Sequence, residues 1–137
     1  YLSKYKYFKA KYLFIKMFTN SLYLTISLVI LLFYTGGRII YIWTNGKIEF
    51  EQSFFNFMLL MAFFNTLSLT SYSVMNASNN NRNMGVYYTI FASIAMIAIY
   101  KLSYLGLDYI AIILCGVEIG MFFISFRSTW KIVNNNQ

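Results

Sequence analysis

The sequence predicts an all-α integral membrane protein with four transmembrane helices, and three observations predict it. Of 137 residues, 59% are hydrophobic and only 11% charged, where soluble domains carry about a quarter charged residues. The apolar residues fall in long runs rather than at amphipathic spacing, with a mean hydropathy of +0.57. The chain contains no proline, and backbone groups in lipid must bond within their own segment, so each run reads as a helix. Nothing shows the ten-residue alternation of a barrel strand.

The first span covers about residues 13–34, and its apolar character carries on through "GGRIIYIW". The second covers 54–75, the third 86–102 and the fourth 109–126. Each is close to the ~20 residues that cross ~30 Å of hydrocarbon as a helix. Their connections differ. "TNGKIEFEQS" is a polar loop holding Lys47, Glu49 and Glu51, whereas "YLGLDY" is tight: Gly106 permits the turn and Asp108 suits a helix N-terminus. Between spans two and three, "SVMNASNNNRNMG" reads as a short hairpin whose asparagines tolerate turn geometry.

The net charge of +7 would suit nucleic acid if it were clustered for phosphate readout, but it is not. Lys4, Lys6, Lys9, Lys11 and Lys16 alternate with Tyr1, Tyr5, Tyr7, Phe8 and Tyr12 just ahead of an apolar run. That is the composition of a membrane–water interface, where rings sit at headgroup level and ammonium groups meet lipid phosphate. With the N-terminus inside, the inner segments hold eight Lys and Arg (Lys4, Lys6, Lys9, Lys11, Lys16, Arg82, Arg127, Lys131) and the outer segments three, Arg38, Lys47 and Lys101. The positive-inside rule then predicts that both termini are cytoplasmic. A first residue that is tyrosine, without a signal-like segment, reads as part of a longer chain.

Polar residues recur inside the spans at helical spacing. Asn20, Tyr23, Ser27, Tyr34 and Arg38 follow at offsets of 3, 4, 7 and 4 in span one. Asn65, Ser68, Tyr72, Asn76 and Asn79 follow at 3, 4, 4 and 3 in span two. Each set falls on one helix face. Such faces bond one helix to another or line a hydrated cavity for a polar substrate. On the second reading, Asn76 and Asn79 would mark the cytoplasmic mouth. Glu118 is the only acid within a span; an ionisable group at that depth serves proton coupling or bonds a neighbouring helix. Gly116 and Gly120 flank it in a GxxxG spacing that lets another backbone approach. Arg38, Arg82 and Lys101, near span ends, suit lipid phosphate.

Catalytic chemistry is not indicated. There is no histidine, one cysteine (Cys115), no paired-carboxylate motif and no glycine-rich phosphate loop. The sequence therefore predicts neither an enzyme nor a metal or other cofactor. Glu49 and Glu51 would be the acids of a membrane polymerising enzyme; on a short loop they read as solvated charges.

Three stretches carry a family resemblance: "TGGRIIYIWTNG", "LTSYSVMNASNNNRNMGVYY" and "YLGLDYIAIILCGVE". They resemble, in turn, the glycine-bearing end of a long helix, a span with its small cytoplasmic turn, and the G-x-x-G-x-A approach to the last helix of a repeat. Together they are similar to the C-terminal part of bacterial polysaccharide (O-antigen-type) flippases of the multidrug/oligosaccharidyl-lipid/polysaccharide exporter superfamily. Tyr109 stands where the second glycine of that approach would be. The resemblance implies that the spans are helices nine to twelve of a twelve-helix, two-lobed transporter in the bacterial inner membrane. It further implies that a polyprenyl-pyrophosphate-linked oligosaccharide is moved by alternating access, the N-terminal lobe of the same chain completing the cavity. A multidrug exporter of the same superfamily and a four-helix accessory subunit are the alternatives.

Overall fold

The structure is a computed structural model that describes residues 2–77 and 82–134, with side chains from 9 to 77 and from 83 to 134. Within them the chain is helical. Helix α1 spans Leu2–Thr44, α2 Gln52–Ala77, α3 Arg82–Leu102 and α4 Leu107–Asn134, and a 3₁₀ turn, Ser103–Leu105, joins the last two. All four helices are long and apolar enough to cross a membrane. The hairpin between α2 and α3, Asn79 included, lies outside the described residues.

Helix α1 runs well past the expected span at both ends. Its 43 residues make a rod about 64 Å long. The Gly36–Gly37 pair does not interrupt it. Instead the glycines make room: the ring of Phe55 packs onto Gly36 and that of Phe50 onto Gly37. The helix ends where Asn45 (φ 56°) and Gly46 (φ 72°) turn left-handed. The Gly46 amide donates to the Tyr41 carbonyl at 2.9 Å and the Asn45 amide to Ile42 at 3.3 Å, a Schellman closure of the last carbonyls. The second tight turn uses Gly106 (φ 111°), whose amide donates to Ser103.

Helices α2 and α4 share the broadest interface and run parallel. Three ties fix their register: Ser53 Oγ donates to Asp108 Oδ2 (2.9 Å), Asn65 Nδ2 to Glu118 Oε2 (3.0 Å), and Thr129 Oγ1 to the Ser71 carbonyl (2.9 Å). The contact surface is made of small residues, Ser68 and Ser71 on one side and Ala111, Cys115, Ser125 and Thr129 on the other, all buried. Without a hydrophobic drive between helices in lipid, small side chains let backbones close on one another and gain dispersion.

Helix α1 lies on one flank of this pair. It is antiparallel to α2, with Ser21 and Thr70 hydroxyls 2.9 Å apart, and its Phe14 and Phe18 interleave with Phe122 and Phe126 of α4. Near its start, Lys11 donates to Asn134 Oδ1 at 2.8 Å and stands 5.3 Å above the Trp130 ring. Helix α3 lies on the other flank, where Phe91 covers Gly120 and Met84 joins Met75 and Met121 in a buried cluster. Among the described residues α1 does not touch α3, and α2 and α3 both lie against α4 without close backbone approach to each other.

Candidate functional site

Glu118 lies where α2 and α3 both reach over α4. Asn65, at the midpoint of α2, donates from Nδ2 to its Oε2. The Tyr88 hydroxyl of α3 is 3.5 Å from the same oxygen, the far end of hydrogen-bonding range. Helix α2 is 26 residues long, about 39 Å, and Asn65 stands at its middle. The carboxylate is therefore held midway along α2, by groups from two helices, between α2 and α3 with α4 as the floor.

Its surroundings keep it available. Glu118 and Asn65 are half-buried and Tyr88 is exposed. Among the described residues no lysine or arginine pairs with the carboxylate, and no group of acids, histidines and cysteines could hold a metal. A buried structural acid would be closed in and fully bonded; this one has Oε1 free and an open side.

The polar set of α2 faces this same region. Ser68 is buried toward α4, and its Oγ finds no partner among the described residues. Tyr72 packs against the methionine cluster. Asn76 is exposed at the end of α2. The polar set of α1 is placed elsewhere. Asn20, Tyr23, Ser27, Tyr34 and Arg38 are all exposed, on the side of α1 opposite Phe14, Phe18, Ser21 and Thr25, which pack on α2 and α4. The structure thus separates the two stripes expected to share a cavity. Only the α2 stripe joins Glu118.

The GxxxG glycines also divide. A side chain at Gly120 would strike Phe91, so this glycine serves α3 packing; at Gly116 it would meet nothing. Arg38 and Lys101 are exposed. Tyr88 is the member of the site that sequence reasoning did not single out. It stands in "GVYY" at the start of an apolar span, and nothing in its own segment signals an acid on another helix. Compared with family models, characterised proteins and solved structures, the chain matches none.

Proposed function

We propose that this chain forms the last four helices of a transporter that moves a lipid-linked oligosaccharide from the inner to the outer leaflet, with both termini cytoplasmic and Glu118 as its proton-responsive coupling group. The observation that carries the reading is the Asn65–Glu118–Tyr88 constellation. An ionisable group at mid-span costs about 2.5–3.5 kcal/mol or more to insert. A four-helix unit already tied by Ser53–Asp108 and Ser71–Thr129 gains little from it that a leucine would not supply. Bonded to two helices whose backbones do not approach each other and which otherwise meet through Met75 and Met84, a carboxyl that gains and loses a proton changes how firmly α3 is held to α2. This is the kind of two-state contact that alternating access requires.

The orientation follows from the charge distribution, with Lys9, Lys11, Lys16, Arg127 and Lys131 gathered at one end of the unit and Glu49, Glu51 and Asp108 at the other. The test is proton-driven export by the intact protein in inverted vesicles. Glu118→Gln keeps the shape and hydrogen bonds but cannot cycle a proton. We expect export to lose its dependence on the proton gradient while the protein remains folded and inserted. Gradient-dependent export at the normal rate would refute the assignment. One observation favours a second cargo: the open carboxylate stands beside the exposed Tyr88, and a carboxylate next to an aromatic ring whose face is accessible suits an organic cation. Tetraphenylphosphonium export lost in Glu118→Gln, with oligosaccharide-lipid export absent from the start, would select the multidrug reading.

A further inference from the structure

The outward side of α1 carries a polar line from one membrane boundary to the other. Lys16, Asn20, Tyr23, Ser27, Tyr34 and Arg38 follow at offsets of 4, 3, 4, 7 and 4, so they stack on one face. All are exposed. The face is the reverse of the one that packs on α2 and α4, where Phe14 and Thr25 are buried. The 22 steps along the helix from Lys16 to Arg38 rise about 33 Å, close to the ~30 Å of hydrocarbon. One cation therefore stands at each boundary with hydroxyl and amide groups between them. Ile30 and Leu31 flank the longest gap, which the Tyr34 ring, 78% exposed, overhangs. Among the described residues, no hydrogen bond or ion pair joins the side chains of Lys16, Asn20, Tyr23 or Arg38 to anything else.

Three occupants can be weighed against this face. Lipid tails cannot satisfy the Asn20 amide or the tyrosine hydroxyls. A second copy of the chain, related by an axis along the membrane normal, would set Lys16 against Lys16 and Arg38 against Arg38. A lipid headgroup carrying phosphate fits both the charge and the hydrogen-bonding groups, because the line bears two cations and no acid. We infer that the outward face of α1 is a path along which the phosphate headgroup of an anionic lipid passes between leaflets. The cations receive it at each boundary, and the Asn20, Tyr23 and Ser27 side chains solvate it between them while the acyl chains stay in the bilayer. The Ser27 hydroxyl, which donates to the Tyr23 carbonyl at 2.9 Å, keeps lone pairs for water accompanying the headgroup. The path needs neither a sugar nor the Glu118 site, so it stands apart from the export reading.

The experiment is leaflet exchange of a fluorescent phosphatidylglycerol in phosphatidylcholine vesicles holding the intact protein, read by dithionite quenching with no gradient applied. Exchange should exceed that in protein-free vesicles by tenfold or more, and should be faster than for the matching phosphatidylcholine probe. The triple variant Asn20→Leu, Tyr23→Leu, Ser27→Leu removes the middle of the line on a face that packs against nothing in the unit. It should bring exchange to the protein-free rate with unchanged helical circular dichroism. Lys16→Gln with Arg38→Gln should abolish the preference for phosphatidylglycerol. Added glycerol phosphate should not compete, since the lipid form is the one received. Exchange at the protein-free rate in the unaltered protein, or full exchange in the triple variant, overturns the inference; simple snorkelling of Lys16 and Arg38 to either surface predicts the former. Because no sugar or gradient enters this assay, its failure leaves the export reading untouched, and failure of the export assay leaves this one.

Discussion

Asn65 and Ser68 stand on one face of α2, three residues apart, yet the fold treats them differently. Asn65 reaches an acid on α4 and stays half-open, whereas Ser68 is closed against α4 with its hydroxyl unpartnered. A cysteine scan in a Cys115→Ser background separates these environments. A cysteine at Ser27 should react readily with a membrane-impermeant thiol reagent, and one at Ser68 should stay protected until the protein is denatured. Labelling at Ser68 as fast as at Ser27 would mean that α2 and α4 part in the resting state. Thr129 is a second residue whose role can be measured. Its hydroxyl is fully buried and donates to the Ser71 carbonyl on another helix. Thr129→Val leaves that carbonyl with only its helical partner, and should cost about 1–3 kcal/mol, seen as a lowered midpoint in detergent unfolding. The sequence marked Glu118 and Asn65 as polar groups inside apolar runs, which the structure bonds one to the other. It did not mark Tyr88, because a tyrosine near the end of an apolar run looks like an interfacial anchor until the partner helix is known.

At the scale of the element, helical periodicity located every polar stripe but could not say where each stripe points. The offsets of Asn20, Tyr23 and Ser27 are as regular as those of Asn65, Ser68 and Tyr72. The first set faces away from the bundle because bulky Phe14 and Phe18 on the reverse side fill the groove beside Phe122 and Phe126. The second turns inward because small Ser68 and Ser71 let α4 come close. Side-chain volume decided between the two faces, and the polar pattern alone carries no volume. The glycines show the same limit. Gly116 and Gly120 are equivalent by spacing, but only Gly120 has a neighbour, Phe91. Gly120→Leu should loosen α3 from α4 at a cost of about 1–3 kcal/mol of overpacking, whereas Gly116→Leu in the isolated protein should leave the unfolding midpoint unchanged. Equal effects at both positions would place another helix against Gly116. The helices α2 and α3 begin and end within about a turn of the apolar runs 54–75 and 86–102. On α1 and α4 the helices run further, because Lys, Tyr and Trp at their ends lower hydropathy without lowering helix propensity.

For the whole molecule, four helices long and apolar enough to cross a membrane were legible from the sequence, since lipid leaves the backbone few options. The lateral order, with α2 and α4 central and α1 and α3 on opposite flanks, was not, because it depends on which small residues meet. Orientation is open to direct measurement. Reporter fusions active only in the cytoplasm should be active at both ends of the protein, and moving Lys9, Lys11 and Lys16 to the loop near Lys47 should invert the unit. Activity at one end only would require an odd number of crossings.

The length of α1 has a mechanical side. A rod about 64 Å long, seated on Phe55 through Gly36 near one end and on Phe122 and Phe126 through Phe18 nearer the other, behaves as a beam with an overhang. Its first nine residues, Leu2–Ala10, precede Lys11, which is level with the last turn of α4, so about 13 Å of helix projects beyond the described part of α4. A tilt of ten degrees about the middle of such a beam carries its tip by about 5 Å, close to one full helical turn. With Phe18 as the pivot, the arms to Gly36 and to the tip are both about 25 Å, so an adjustment of the rings around Gly36 is carried to the opposite end of the helix at nearly its own size.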